Sequence, residues 1–200
     1  PEGARPMAKS DTIRALHREN RHTLALAFPI VAGLVGQMLM GLADTLMVGK
    51  VGTVPLAACG FANNLLSIPL VFGFGLLAGV SVNASHAFGA GKPHLAGESL
   101  RGGLVIALAM GLLVALATHA LLRFLPILGQ PPEVNSSATA YLLLCAWSMP
   151  AVFATGTAKN VCEALAHPWP PFWIMLGGVL LNVLLNWIFI YGNLGAPAMG

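Results

Sequence analysis

Charged residues are scarce in this sequence. Asp, Glu, Lys and Arg make up 8% of its 200 residues, whereas 56% are apolar. A soluble domain contains about 25% charged residues, and so few charges cannot cover a water-exposed surface. The Lys and Arg residues give a net charge of +3, but they form no patch interleaved with aromatic residues. Nucleic-acid binding is therefore not expected, and a soluble domain is excluded.

The sequence also lacks a cysteine framework and a signal-peptide cleavage site. Its three cysteines, Cys59, Cys145 and Cys162, lie in or beside apolar segments without paired spacing. This placement is typical of packing residues rather than of disulfides or metal ligands. The first apolar run has about 25 residues and no small-residue cleavage site, which predicts a membrane span rather than a signal peptide.

What the sequence does contain is a series of apolar runs of about 20 residues, which predicts an all-α, polytopic membrane helical bundle. Residues 1–23 form a polar, cytoplasmic N-terminal tail, residues 24–191 contain five transmembrane helices, and residues 192–200 begin an outer loop. The chain starts without a methionine and stops in this loop, so we expect it to be part of a larger protein. The predicted spans are 24–48, 56–82, 102–122, 136–158 and 172–191.

The distribution of positive charge predicts the orientation. Eight of the basic residues fall in the tail and in the second and fourth loops, whereas only Lys50 and Arg123 fall on the other side. The positive-inside rule then places the N-terminus in the cytoplasm. The eight residues are Arg5, Lys9, Arg14, Arg18, Arg21, Lys92, Arg101 and Lys159.

Asp44 is the only acidic residue within a comparably apolar stretch. A charge at such a depth costs several kcal/mol, so it needs a partner, water or a proton. With the predicted orientation, Asp44 and Asn186 both lie about 6 to 8 Å below the outer boundary. Asn182 shares a helix face with Asn186, and Gln37 shares one with Asp44. If spans one and five pack together, these side chains line one pocket.

Such a pocket permits two kinds of cation binding. A carboxylate withdrawn from water takes up a proton more readily, and amide oxygens beside it complete an oxygen shell for Na⁺. Either cation neutralises the carboxylate and so biases a two-state helix arrangement. The coupling-site hypothesis names Asp44, Asn182 and Asn186, which would also be the Na⁺ ligands; no other metal site and no cofactor is predicted.

Blander interpretations exist for the same residues. Asp44 is otherwise an interfacial residue capped by Thr45, and each Asn is otherwise an interhelical hydrogen-bonding group. Prolines within spans, including Pro29, are commonly static kinks, and methionines such as Met40 are apolar filler unless they face a substrate cavity. Small residues favour close helix approach at two places, the Gly75–Gly79 pair and the Ala107, Gly111 and Ala115 series.

Three segments resemble the multidrug and toxic compound extrusion (MATE) antiporters. Pro29, Gln37 and the run from Gly41 to Gly49 look like that family's first helix with its acidic residue. Phe88-Gly89-Ala90-Gly91 resembles the end of its second helix and the following loop. Leu181-Asn182-Val183-Leu184-Leu185-Asn186-Trp187-Ile188-Phe189-Ile190-Tyr191-Gly192 resembles its fifth helix.

The resemblance implies twelve helices in two six-helix lobes around a central cleft. This chain would be the N-terminal lobe without its sixth helix, and the remaining C-terminal part of the transporter would be its partner. The resemblance assigns cation binding to Asp44, Asn182 and Asn186 and makes Pro29 a candidate hinge. Gln37, on the face of Asp44, and Met40 are candidates for the substrate cavity. Some members carry Asp at the position of Asn186, so this chain is nearer the bacterial H⁺- or Na⁺-driven branch.

These observations together predict an inner-membrane efflux antiporter that exchanges amphipathic or cationic organic compounds for H⁺ or Na⁺. A lipid-linked precursor flippase of the wider superfamily is the nearest alternative, but it would need more cationic residues in its cavity. An intramembrane enzyme would need a second acid, a His or a metal-ligand set at the depth of Asp44. A structural membrane subunit leaves Asp44 and the paired Asn residues without a role.

Overall fold

In the computed structural model, which describes residues 9–124, 132–190 and 192, the chain forms five α-helices. Each is long and apolar enough to cross a membrane. A helix satisfies its own backbone N–H and C=O groups, which a segment surrounded by lipid requires. The predicted all-α membrane bundle is confirmed. The helices are α1 (Lys9–Val51), α2 (Thr53–Gly89), α3 (Pro93–Leu121), α4 (Pro132–Ala164) and α5 (Trp169–Phe189).

The helices extend beyond the predicted spans. Residues 9–23, assigned to a polar tail from the sequence, are the first turns of α1. Loss of hydrophobicity marks where a helix leaves lipid but does not end the helix, because its backbone hydrogen bonds persist in water. The end of α5 is an exception: the fifth span was predicted to end at Tyr191, whereas α5 ends earlier, at Phe189. Tyr191 and residues 193–200 of the predicted outer loop lie outside the described residues.

The helices pack as two units, a trio and a pair. Helices α2, α3 and α4 contact one another extensively, and α1 packs mainly against α5. Contacts between the trio and the pair are fewer, and those between α4 and α5 are sparse. The buried core belongs almost entirely to the trio, since none of the residues Trp169–Phe189 of α5 is buried. We refer to these two units as the α2–α3–α4 trio and the α1–α5 pair.

Small residues set the closest approach within the trio. Ala107, Gly111 and Ala115 are buried on one face of α3, as their spacing predicted. A Cβ placed on Gly111 would overlap the backbone of Pro150 in α4. Backbone atoms cannot move aside as a flexible side chain does, so α3 and α4 approach this closely only because residue 111 has no side chain. Among the described residues, no atom of another helix lies within 4 Å of a Cβ built on Gly75 or Gly79, so the close approach predicted there is absent from the described part of the chain.

Helices α2 and α4 interlock through two glycines and two phenylalanines. The ring of Phe153 on α4 fills the space above Gly73 on α2, and the ring of Phe74 on α2 fills the space above Gly156 on α4. The two rings meet edge to face, with centroids 5.3 Å apart and planes at 73°. Aromatic pairs favour this geometry because the positive ring edge faces the negative ring face. The interlock fixes the register of α2 against α4.

The α1–α5 pair also packs a large side chain against a glycine, near the middle of α1. The Met175 side chain of α5 lies against Gly33 of α1, and Phe28 lies near Trp169 with ring centroids 6.5 Å apart. Pro29, one turn before Gly33, is buried within the continuous helix. These contacts hold α1 beside α5 along the half of the helix that precedes Asp44.

Two tight turns join the helices at the end opposite the cavity described below, and both terminate a helix in the same way. At the end of α2, Gly91 has φ 72°, its N–H donates to the Phe88 carbonyl, and the Lys92 N–H donates to the Ala87 carbonyl. At the end of α4, Ala166 has φ 60°, and the N–H groups of Ala166 and His167 donate to the carbonyls of Glu163 and Cys162. Both are Schellman motifs, which need a left-handed residue.

A glycine-to-alanine comparison tests the packing of α3 on α4. Gly111→Ala is expected to lower the free energy of unfolding by about 1–3 kcal/mol, because the new methyl group meets the Pro150 backbone. Gly79→Ala is the matched control: it has open space around it, so only the better helix propensity of Ala acts, and stability is expected to stay equal or to rise. Unfolding by SDS in detergent micelles, followed by circular dichroism, measures both. Equal effects of the two substitutions would contradict the packing described.

The two helix ends give a second, opposite pair of substitutions. Ala166→Gly is expected to raise the free energy of unfolding by about 1 kcal/mol, because glycine adopts positive φ without the steric cost that a Cβ brings. Gly91→Ala is expected to lower it by about the same amount. The same SDS titration measures both, and a change of the same sign for the two variants would refute the assignment of these turns.

Candidate functional site

A cavity of about 660 Å³ lies between the α1–α5 pair and the α2–α3–α4 trio. It is located at the end of the bundle where α1 and α5 finish and where α2 and α4 begin. Its volume is in the range of pockets that bind small organic molecules, about 300–1,000 Å³. The lining residues are Gly41, Asp44, Thr45, Val48, Pro55, Leu56, Ala58, Cys59, Gly60, Asn63, Ser137, Tyr141, Asn182, Asn186 and Ile190.

The lining residues recur at helical spacing, so each helix presents one face to the cavity. Helix α5 contributes Asn182 and Asn186, and its C-cap residue Ile190 follows at the same spacing of four. Helix α1 contributes the face that contains Gly41, Asp44, Thr45 and Val48. Residues three and four positions apart project from the same side of a helix. The wall formed by α1 and α5, which we call the Asp44 wall, therefore carries the carboxylate and both amides.

Asp44 is hydrogen-bonded across the two helices. The Asn186 Nδ2 group donates to the Asp44 Oδ1 atom at 2.5 Å and also lies 3.3 Å from the Asn182 Oδ1 atom, to which it donates more weakly. Both the Asp44 and the Asn186 side chains are half-buried. A hydrogen bond to a charged acceptor contributes about 1.5–3 kcal/mol, more than one between neutral groups. Asn186 is thus the hydrogen-bond partner that a carboxylate at this depth in a membrane helix requires.

Thr45 does not cap Asp44. Its hydroxyl donates to the Gly41 carbonyl of the same helix at 2.8 Å. The alternative of an interfacial carboxylate capped by Thr45 is therefore not supported, since the group that contacts Asp44 comes from another helix. The other alternative, in which an Asn serves as an interhelical hydrogen-bonding group, describes the observed contact of Asn186. Cation binding by Asn186 stays a prediction.

The second wall of the cavity comes from α2 and α4, and we call it the Tyr141 wall. Cys59 and Asn63 lie one turn apart on α2, and Ser137 and Tyr141 lie one turn apart on α4. The Tyr141 hydroxyl donates to the Asn63 Oδ1 atom at 3.4 Å. Because Tyr141 is half-buried and Asn63 is exposed, the phenol and the amide meet at the cavity surface. This wall is polar but carries no formal charge.

The remaining predicted residues lie outside the cavity lining. Gln37 is exposed and Met40 is half-buried, and neither contributes to the lining. Gln37 shares the face of Asp44 but is two turns away, about 10 Å along the helix axis. Pro29 is farther still, about 22 Å from Asp44 along α1. A hinge at Pro29 and substrate contacts at Gln37 and Met40 stay predictions.

The Tyr141 wall was missed from the sequence, although a signal for it exists. Asn63 is an amide within an apolar run, as Asn182 and Asn186 are. Tyr141 is one of only two tyrosines in the chain, and a phenol within a span requires a hydrogen-bond partner. Cys59 was interpreted as a packing residue. It is a free, half-buried thiol that also lines the cavity.

Among the described residues, no Lys, Arg or His lines the cavity, and Asp44 is its one formally charged residue. A negative charge in a cavity with partly apolar walls attracts cations and repels anions. The Asp44 wall offers carboxylate and amide oxygens, which suit H⁺ or a hard cation such as Na⁺. In the observed arrangement Asn186 presents its N–H to Asp44, so a bound cation competes with this hydrogen bond.

Replacing the two asparagines separately tests the hydrogen-bond arrangement. Asn186→Leu is expected to lower the free energy of unfolding by about 1.5–3 kcal/mol, because it leaves the Asp44 carboxylate without its donor. Asn182→Leu is expected to cost less, about 0.5–1.5 kcal/mol, because Asn182 accepts only the longer, neutral bond. SDS unfolding followed by circular dichroism measures both, and Asn64→Leu, an exposed amide outside the cavity, is the control. A larger effect of Asn182→Leu than of Asn186→Leu would contradict the geometry.

The fold is also found in solved membrane transporters. A MOP superfamily transporter from Pyrococcus furiosus matches 88% of this chain with a TM-score of 0.79 and 22% sequence identity, and the match covers 39% of that chain. A multidrug resistance MATE family transporter in an outward-facing conformation matches with a TM-score of 0.76, the same identity and the same coverages. At this identity the likeness establishes the helical fold.

Sequence comparison is more specific. Residues 29–188 match the family model MatE. The proteins named multidrug resistance protein MdtK from Yersinia enterocolitica and Yersinia pestis are each 31% identical to this chain over 186 residues. The matches cover 91% of this chain and 40% of each relative, so the chain spans well under half of their length. MATE family members are transporters, not enzymes. The chain is thus a multi-pass membrane protein that belongs to the MatE family.

Proposed function

We propose that this chain provides one cation-coupling half of an efflux antiporter that exports amphipathic, cationic organic compounds from the cell in exchange for H⁺ or Na⁺. One observation carries the proposal: Asp44, the one formally charged group lining the cavity among the described residues, is hydrogen-bonded to Asn186 across α1 and α5. The MdtK relatives are named multidrug resistance proteins, and this supports organic compounds as the class of solute.

The coupling role follows from competition for one carboxylate. When Asp44 is charged, the Asn186 N–H stabilises it. A proton or Na⁺ on Asp44 removes that charge and weakens the hydrogen bond, so the contact between α1 and α5 at this end changes strength. A cation that binds one arrangement of the helices better than another shifts the population between them. Asn182 and Asn186 supply the additional oxygen ligands that Na⁺ requires.

The negative charge of the cavity lining favours this function over the transport of lipid-linked precursors. The headgroups of such precursors are anionic diphosphates, which Arg and Lys bind in proteins. The cavity presents a carboxylate, and no Lys, Arg or His lines it among the described residues. The Pyrococcus furiosus transporter is described as having a binding pocket of reverse polarity that suggests a different function, so polarity is the property to compare within this fold.

The proposed location is the inner membrane, with the N-terminus in the cytoplasm. Lys92 lies in the turn between α2 and α3, and Lys159 lies near the end of α4, so both are at the end opposite the cavity. The positive-inside rule assigns that end to the cytoplasm. The cavity then lies in the outer half of the bundle. Lys159 is paired with Glu163 at 2.9 Å, and Lys92 and Arg101 are exposed. All three count toward this orientation, because the rule depends on Lys and Arg and not on net charge.

Transport by the complete protein that contains this chain tests the coupling role of Asp44. Everted membrane vesicles are given a fluorescent organic cation and either a pH gradient or a Na⁺ gradient. Asp44→Asn is expected to lower gradient-driven uptake at least about tenfold, the effect of about 1.4 kcal/mol, because an amide neither takes up a proton nor neutralises Na⁺. The gradient that drives uptake in the unsubstituted protein identifies the coupling ion.

Glu98→Gln is the matched control, since it removes an exposed carboxylate on α3 that is outside the cavity. Its uptake is expected to equal that of the unsubstituted protein. Immunoblotting of the vesicles establishes equal insertion of all variants. Undiminished uptake by Asp44→Asn at equal insertion would reject the coupling role and leave Asp44 as a structural partner of Asn186.

A further inference from the structure

The Tyr141 wall contains a hydrogen bond that packing alone does not explain. Asn63 of α2 and Tyr141 of α4 are 78 positions apart in the sequence, yet the phenol hydroxyl donates to the amide oxygen at 3.4 Å. Tyr141 also interacts with the Cys145 side chain, one turn farther along α4. The trio is already held together by its glycine contacts and by the Phe74–Phe153 pair. The Tyr141 side chain packs against the edge of that core, and its hydroxyl meets Asn63 where both residues line the cavity.

The hydrogen bond determines what this wall offers to a solute. Because the phenol proton is directed to the Asn63 oxygen, the lone pairs of the phenol oxygen remain available as acceptors. The phenol oxygen is therefore a neutral acceptor, whereas the acceptor on the Asp44 wall is charged. Without Asn63, the phenol proton is free to rotate and point elsewhere.

We propose that Asn63 is a specificity-determining residue: it positions the Tyr141 hydroxyl so that the phenol oxygen accepts a hydrogen bond from an N–H or O–H group of an organic cation in the cavity. The inference rests on the proposed function for the identity of the solute as a cation. The charge of the cation is met by the Asp44 wall, and its polar substituents are met by the Tyr141 wall. Cations with hydrogen-bond donors are thereby distinguished from cations without them.

The binding of two organic cations of the same charge, rather than their transport, tests this assignment. Ethidium carries two aromatic amines, whereas tetraphenylphosphonium has no N–H or O–H group. In the purified complete protein, ethidium binding is measured by fluorescence polarisation, and tetraphenylphosphonium binding is measured by displacement of a bound dye. Asn63→Leu is expected to raise the Kd for ethidium about fivefold, the loss expected for a hydrogen bond between neutral groups, and to change that for tetraphenylphosphonium less than about twofold.

A double substitution shows whether Asn63 acts through Tyr141. Tyr141→Phe alone is expected to weaken ethidium binding about as much as Asn63→Leu does. The Kd of the combined variant for ethidium is expected to lie within about twofold of that of either single variant, because the effects of residues that act as a unit do not add. Asn64→Leu, a neighbouring exposed amide outside the cavity lining, is expected to leave both Kd values unchanged.

Several outcomes would overturn the proposal. Equal weakening of both probes by Asn63→Leu would show a general change of the cavity rather than recognition of donors. Additive effects in the double variant would show that Asn63 does not act through Tyr141. Lack of ethidium binding to the unsubstituted protein would also count against it. Failure of the coupling role is recognised separately, because it appears as gradient-driven uptake that survives Asp44→Asn.

Discussion

A carboxylate in an apolar helix has to be protonated, solvated or hydrogen-bonded, and this requirement governs how α1 is placed. Asp44 satisfies it through the Asn186 N–H of α5. Nearer the start of α5, the small residue Gly33 lets Met175 approach α1 closely. The two helices thus pair at both ends of their shared length. Because the partner of Asp44 is on another helix, any change in its charge acts on the contact between α1 and α5.

The α2–α3–α4 trio supplies the rigid surface against which this pair lies. Its packing relies on positions where a side chain is missing, such as Gly111 against Pro150 and Gly73 against Phe153. Contacts of this type leave little freedom to slide, since the backbone or a large ring fills the available space. The cavity opens at the boundary between the two units, where contacts are fewer. A solute bound there contacts both units, so its affinity depends on their relative position.

Much of the site was accessible from sequence because helical periodicity is regular. The spacing of four between Asn182 and Asn186 and the depth of both relative to Asp44 follow from the rise of a helix. Periodicity alone does not show how far along α1 the cavity extends: Gln37 shares the face of Asp44 but lies beyond the part of α1 that borders the cavity. Likewise Gly75 and Gly79 permit a close approach that no described neighbour makes. Small residues allow contact, but the bulky residue opposite, such as Phe153 or Phe74, decides where it occurs.

Hydropathy and the position of Asp44 establish, without any structure, that the chain crosses a membrane as helices and that one carboxylate within them needs a partner. Hydrophobicity and the cost of a charge in lipid are properties of single segments, so no knowledge of neighbours is required. Tertiary structure alone decided that Asn186 donates to Asp44, that α2 and α4 contribute a second polar wall, and that Asn63 meets Tyr141. These contacts join residues far apart in the chain, and their geometry depends on how five helices pack, which a local pattern does not contain.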